Sequence, residues 1–267
     1  MKKKIIFLLI LVLILIISFF IYLYHDQKVA ILGYHSFATE KYIKDNNITS
    51  YFVMSNENFE DQLKYLKKHN YKTLTLDEFY CFKKGTCKIP RKSVLITMDD
   101  GYASNYYYAA PLLKKYNANA TIFYVGVNYN NNFIWKDDPY QFMNKDVVLK
   151  LNKEYPNIEI ASHTFDLHSE ESFNKDKIVV NEDFIKEQDI VSSKYFAYPF
   201  GVITENIKNE LVQNKYSLAF TYGPNKEHRK ADRDDLDLEI PRLHMDSGMS
   251  LLKFKLILLR PYVIGYK

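Results

Sequence analysis

Short β-branched or apolar runs alternate along this chain with longer stretches of helical period, and few architectures accept that rhythm. Strand-like runs fall at residues 29–34, 73–76, 94–97, 120–125, 158–161, 194–198, 217–221 and 238–243. Between them, Phe59, Leu63 and Leu66 recur at i, i+4, i+7, and Leu112, Leu113 and Tyr116 form a similar stripe after Pro111. Residues 182–190 and 203–214 read the same way, and 248–259 reads as a last helix docked on the body of the protein. Strand followed by helix, repeated, predicts parallel strands joined by crossover helices. Seven or eight such units predict an α/β fold, a closed or nearly closed (β/α)7-8 barrel.

In a barrel of this kind the loops at the C-terminal strand ends build the active site. Polar and turn-forming residues collect at those ends here. Asp99-Asp100-Gly101 ends the third run, His163 follows the fifth, Tyr198-Pro199-Phe200-Gly201 ends the sixth and His244 ends the last. Neighbouring side chains on extended backbone point to opposite sides, so Asp99 and Asp100 are expected to do different work. One can ligate a cation while the other faces an attacking water. His163 and His168 are five apart, an offset that needs a loop rather than one helix face. Two imidazoles and a carboxylate at one rim point to a divalent-metal hydrolase. Taken separately, Asp-Asp-Gly also suits a plain turn, and either histidine suits a structural role.

The N-terminus adds a second constraint. Three lysines follow Met1, and residues 5–24 are apolar apart from Ser18. At about 1.5 Å per residue such a helix matches a bilayer core of roughly 30 Å. No small-x-small cleavage site precedes His25, which favours an uncleaved anchor over a removed leader. The expected organisation is a cytoplasmic tip at 1–4, a transmembrane anchor at 5–24 and one catalytic domain at 29–267 outside the cytoplasm. The roughly 240 residues past the anchor contain no linker, repeat or low-complexity tract. With 36 basic and 32 acidic residues the charge is too balanced to argue for nucleic acid. Most of the 23 tyrosines and 18 phenylalanines are expected in the core. Cys81 and Cys87 flank a Lys84-Gly85 turn and read either as a bridge across it or as two reduced thiols.

In order and spacing, Thr97-Met98-Asp99-Asp100-Gly101, the segment from Ser162 to His168 and Ala197-Tyr198-Pro199-Phe200-Gly201 resemble the motifs of polysaccharide deacetylases of the NodB-homology type, carbohydrate esterase family 4. His-x4-His with Asp166-Leu167 inside is similar to the branch acting on poly-β-1,6-N-acetylglucosamine, as are Ile31-Leu32-Gly33-Tyr34-His35 and Ile240-Pro241-Arg242. Most relatives carry His-x3-His. The resemblance implies a distorted NodB-like barrel, one divalent metal, usually Zn2+, held by Asp100, His163 and His168, and Asp99 as general base. It places the Phe200 backbone N–H at the developing oxyanion, with Tyr198, Leu243 and His35 at the substrate. Leu243-His244 resembles the family's final Leu-His motif, making His244 the candidate general acid. Two departures stand out. Ala197 occupies the place of the arginine that usually partners the base, leaving Arg242 as the candidate substitute, and no fourth motif is evident around Asp234, Asp235 and Asp237. The expected activity is N-deacetylation of an extracytoplasmic N-acetylglucosamine polymer, poly-β-1,6-N-acetylglucosamine or peptidoglycan, by a monomer. A glycosidase and a catalytically silent glycan-binding protein are the alternatives.

Overall fold

The structure is a computed structural model, and it describes residues 2–25, 27–222 and 229–259. Helix α1 (Lys2–His25) is long and apolar enough to cross a membrane, and its side chains from Ile5 to Phe20 are exposed to solvent. Met1, residues 223–228 and residues 260–267 of the expected 29–267 domain lie outside the described residues.

Beyond α1 the chain builds a ring of parallel strands. These are β1 (Ala30–Tyr34), β5 (Ser93–Met98), β6 (Ala120–Tyr124), β7 (Ile158–Ser162), β8 (Tyr195–Ala197), β9 (Leu218–Thr221), β10 (Ile240–Pro241) and β11 (Leu243–His244). In space their order is β10-β9-β8-β7-β6-β5-β1-β11. The last expected strand is thus two short pieces broken at Arg242. Ile240 and Pro241 pair with Phe220 and Thr221 on one side, while Leu243 and His244 pair with Leu32 and Gly33 on the other. That single stretch closes the sheet into a nearly complete barrel, as expected.

Period-2 alternation sorts each strand into two layers. Ile31, Leu95, Phe123, Ala161, Ala197, Phe220 and Ile240 belong to one buried cluster to which every long strand contributes, the barrel interior. The opposite parity packs outward. Leu32, Ile96 and Ile122 meet α3 (Asn56–Lys68), α5 (Ala110–Tyr116), α6 (Lys145–Glu154) and α9 (Leu251–Leu259) in a second cluster. Phe196 and Tyr198 meet α7 (Lys177–Gln188) and α8 (Glu205–Gln213) in a third. All six residues of β5 are buried, as a strand covered on both faces requires.

Several local expectations change. The run 73–76 is strand only at β4 (Lys72–Thr73), because Thr75 and Glu78 form a capping box that opens α4 (Leu76–Lys83). Asp176 caps α7, which therefore starts ahead of 182. A small lateral sheet, β2 (Ser36–Ala38) with β3 (Val53–Ser55), and helix α2 (Glu40–Asp45) were not anticipated. Cys81 and Cys87 are disulfide-bonded.

Candidate active site

The site is the next layer of the barrel interior. Two residues beyond the interior cluster, at the same parity, stand Gly33 after Ile31, Thr97 after Leu95, His163 after Ala161, Tyr222 after Phe220 and Arg242 after Ile240. One further step in three strands reaches His35, Asp99 and His244. His35, Asp99, Asp100, His163, His168 and His244 line one cavity of about 270 Å³. Its size sits near the lower end of small-ligand pockets, roughly 300–1,000 Å³.

Asp99 still belongs to the sheet, its N–H donating to the Tyr34 carbonyl at 2.9 Å. Asp100 does not follow the parity. The chain turns there through two left-handed residues, Asp100 at φ 68° and Gly101 at φ 76°. Position 101 must be glycine, since a Cβ would meet the Tyr124 ring at 2.3 Å. This turn brings both carboxyl groups to one cavity in different surroundings. Thr164 (φ 72°) and Phe200 (φ 56°) are also left-handed, so each of three motif loops holds a strained residue at the site.

Asp99 is 2% exposed and meets a fully buried cation. Arg242 donates from its two terminal nitrogens to the two carboxylate oxygens at 2.6 and 2.8 Å, and to Thr97 Oγ1 at 3.3 Å. Tyr222 adds its hydroxyl to Asp99 at 3.1 Å, and its ring lies 4.3 Å from the guanidinium carbon. Burial pushes the Asp99 carboxyl up, but Arg242, with the imidazoles of His163 and His35, more than offsets this and holds it below the usual carboxylate range. His35 Nε2 lies 4.0 Å from Asp99. Burial lowers the His35 pKa.

Asp100 faces the histidines. Its Oδ1 lies 3.3 Å from His163 Nε2 and 3.0 Å from His168 Nε2, and the three donor atoms lie within 4.8 Å of one another. His163 Nδ1 is 2.7 Å from the Ala197 carbonyl. A carbonyl only accepts, so Nδ1 carries a proton, which leaves Nε2 as the ring atom available to a cation beside Asp100. Ligand bonds of about 2.0–2.2 Å at a tetrahedral ion set neighbouring donors roughly 3.3–3.6 Å apart. Two nitrogens and one carboxylate oxygen, all within 4.8 Å of one another and two of the pairs at 3.0 and 3.3 Å, are close enough to share a divalent cation.

Other expected residues fall differently. His244 lines the cavity, between the rings of Tyr51 (5.0 Å) and Tyr222 (5.3 Å). The Phe200 ring stands at the mouth, 51% exposed and 4.7 Å from the His168 ring. Tyr198 lies outside the cavity lining, fully buried against Phe196 at 5.4 Å, because its parity is the outward one. Leu243 shares that parity and packs in the outer core. Tyr222, Tyr102 and Phe52 line the cavity without having been anticipated. Tyr222 follows β9 at the inward parity, a signal readable from the strand. Phe52 arrives on the unforeseen lateral sheet and had no such signal.

The chain matches the family model described as polysaccharide deacetylase over residues 87–219. It is 30% identical over 246 residues to the poly-beta-1,6-N-acetyl-D-glucosamine N-deacetylase of Staphylococcus epidermidis, covering 82% of this chain and 80% of that one. The corresponding Staphylococcus aureus enzyme is 29% identical over 245 residues, 82% and 79% of the two chains. Among solved structures, the Streptococcus pyogenes deacetylase PplD in complex with acetate superposes with a TM-score of 0.72 at 19% identity, over 88% of this chain and 100% of that one, a likeness of fold. Relatedness along most of the chain, on a fold that gathers the motif carboxylates and histidines in one cavity, makes this protein a member of the polysaccharide deacetylase family, a polysaccharide N-deacetylase that hydrolyses amide bonds.

Proposed function

We propose that this chain is a membrane-anchored, metal-dependent N-deacetylase acting outside the cytoplasm on the N-acetylglucosamine units of poly-β-1,6-N-acetylglucosamine. The observation that carries the reading is the convergence of the Asp100, His163 and His168 donor atoms beside a carboxylate, Asp99, clamped by Arg242. The polymer is that named for the staphylococcal relatives. Lys2, Lys3 and Lys4 at the start of α1 support an orientation with the barrel exported.

Asp100, His163 and His168 hold the cation, and two nitrogens with one oxygen favour zinc. When bound, it supplies Lewis-acid polarisation of the acetamide carbonyl and a lowered pKa for water. Asp99 accepts the proton of the attacking water. Arg242 weakens Asp99 as a base but guarantees that it is ionised and aimed, and Tyr222 fixes its second oxygen. The Phe200 backbone N–H donates to the carbonyl oxygen as negative charge develops there. His244, whose ring lies 5.5 Å from that of His35, returns a proton to the departing sugar nitrogen. His35 lies beside Asp99, while the exposed rings of Phe52 and Phe200 offer apolar faces to the pyranose.

Acetate release from β-1,6-linked N-acetylglucosamine oligomers, run beside peptidoglycan and a reducing-end assay, tests this. Acetate from the oligomers is expected. Acetate from peptidoglycan alone reassigns the polymer, new reducing ends identify a glycosidase, and neither product leaves a binding protein.

A further inference from the structure

His163 and His168 are held in unlike ways. His163 directly follows β7, with its N–H on the Tyr124 carbonyl at 3.1 Å and its ring on the Ala197 carbonyl at 2.7 Å. His168 belongs to no helix or strand, and its side chain is 25% exposed. Its backbone is placed by the loop that leads to it, while its ring meets Asp100 and Phe200. That loop begins at left-handed Thr164, whose buried hydroxyl has no hydrogen-bond partner among the described residues, so the residue does not cap its own turn.

The loop is gripped from outside on both edges. Gly126 and Val127 donate their N–H groups to the carbonyls of Thr164 and Phe165, at 3.1 and 2.8 Å. On the other edge, the N–H groups of Phe165 and Asp166 donate to the two carboxylate oxygens of Asp183, at 2.8 and 2.7 Å. Asp183 is 6% exposed and rides on α7, which Val180 and Phe184 anchor in the outer core. A carboxylate taking two consecutive backbone donors is a charge-assisted, two-point clamp. It fixes the peptide planes midway between the two histidines.

We infer that Asp183 is a positioning residue for the metal centre, setting the reach of His168 by clamping the backbone between the two histidines. The inference rests on the metal reading proposed above. Full-length protein in detergent micelles, stripped of metal, is titrated with Co2+, following the d–d absorption and competition with a chromophoric chelator. Asp183→Ala is expected to weaken Co2+ binding about 10- to 100-fold, the range for a residue that orients a ligand, with Asp183→Asn, which keeps one acceptor oxygen, in between. Phe184→Leu, which loosens the same helix without touching the loop, is expected to lower the thermal midpoint yet keep affinity within about threefold. The inference fails if Asp183→Ala, or Asp183→Asn should the alanine variant not fold, binds Co2+ like wild type. It fails equally if Phe184→Leu weakens binding as much. Wild-type protein that takes up no Co2+ overturns the metal reading and this inference with it. Loss in His168→Ala but not at Asp183 overturns this inference alone.

Discussion

Arg242 and Asp99, 143 positions apart in the chain, form a buried two-point ion pair inside the barrel mouth. Removing one partner of such a pair leaves the other charged and dehydrated. Arg242→Ala is therefore expected to cost about 3–5 kcal/mol of folding stability, measured by denaturant titration. Arg242→Lys, a single-point cation, restores charge but not aim, and kcat for acetate release is expected to fall on the order of 100-fold.

Tyr222→Phe removes one hydroxyl and keeps the ring over Arg242. A hydrogen bond to a charged group is worth about 1.5–3 kcal/mol, so kcat is expected to drop roughly tenfold or somewhat more. KM should change little, because the hydroxyl is turned to Asp99. An unchanged kcat removes Tyr222 from the machinery.

Asp100→Asn, His163→Ala and His168→Ala each delete a donor of the three-atom cluster. Metal analysis of the purified variants is expected to show loss of bound ion, and a chelator should silence the wild type until Zn2+ is restored. Readdition should also raise the thermal midpoint, since an ion at 100 times its Kd adds about 2.7 kcal/mol to the folded state. Three variants that retain both metal and turnover would falsify the proposed centre.

His244→Ala tests the proton donor. A general acid typically contributes 10²–10⁴-fold, so kcat should fall by about 100-fold or more, and the alkaline limb of the pH–kcat profile should flatten. A loss of only a few-fold rules the role out.

Glu187 is 1% exposed, with its carboxylate buried beside the backbone of Gly126 and His163. Burial, then the charge of Asp183, pushes its pKa well above the usual range. An acid raised in the folded state keeps its proton there while the unfolded chain gives it up, so stability is fully present below the unfolded pKa of about 4.3 and declines as pH rises toward the folded value. Denaturation from weakly acid to weakly alkaline pH is expected to show this decline in the wild type and a flatter profile in Glu187→Gln. Parallel profiles contradict it.

The amino-acid sequence by itself determined the repeat of strand and helix, the ends of the strands at Asp99 and His163, and the apolar N-terminal helix. Each depends on near neighbours: period 2 in strands and period 3.6 in helices. Strand parity was equally legible and accounts for Tyr222 inside and Tyr198 outside, although the family resemblance had implied Tyr198 at the substrate. The left-handed turn at Asp100, the lateral sheet that delivers Phe52 and the grip of Asp183 on the histidine loop were decided only by the tertiary structure, which also made a two-point ion pair of the Arg242–Asp99 partnership that the resemblance had offered as a candidate. These join segments far apart along the chain, and such contacts are selected by barrel closure and by the need to partner buried charge and backbone N–H groups, which no local pattern of residues encodes.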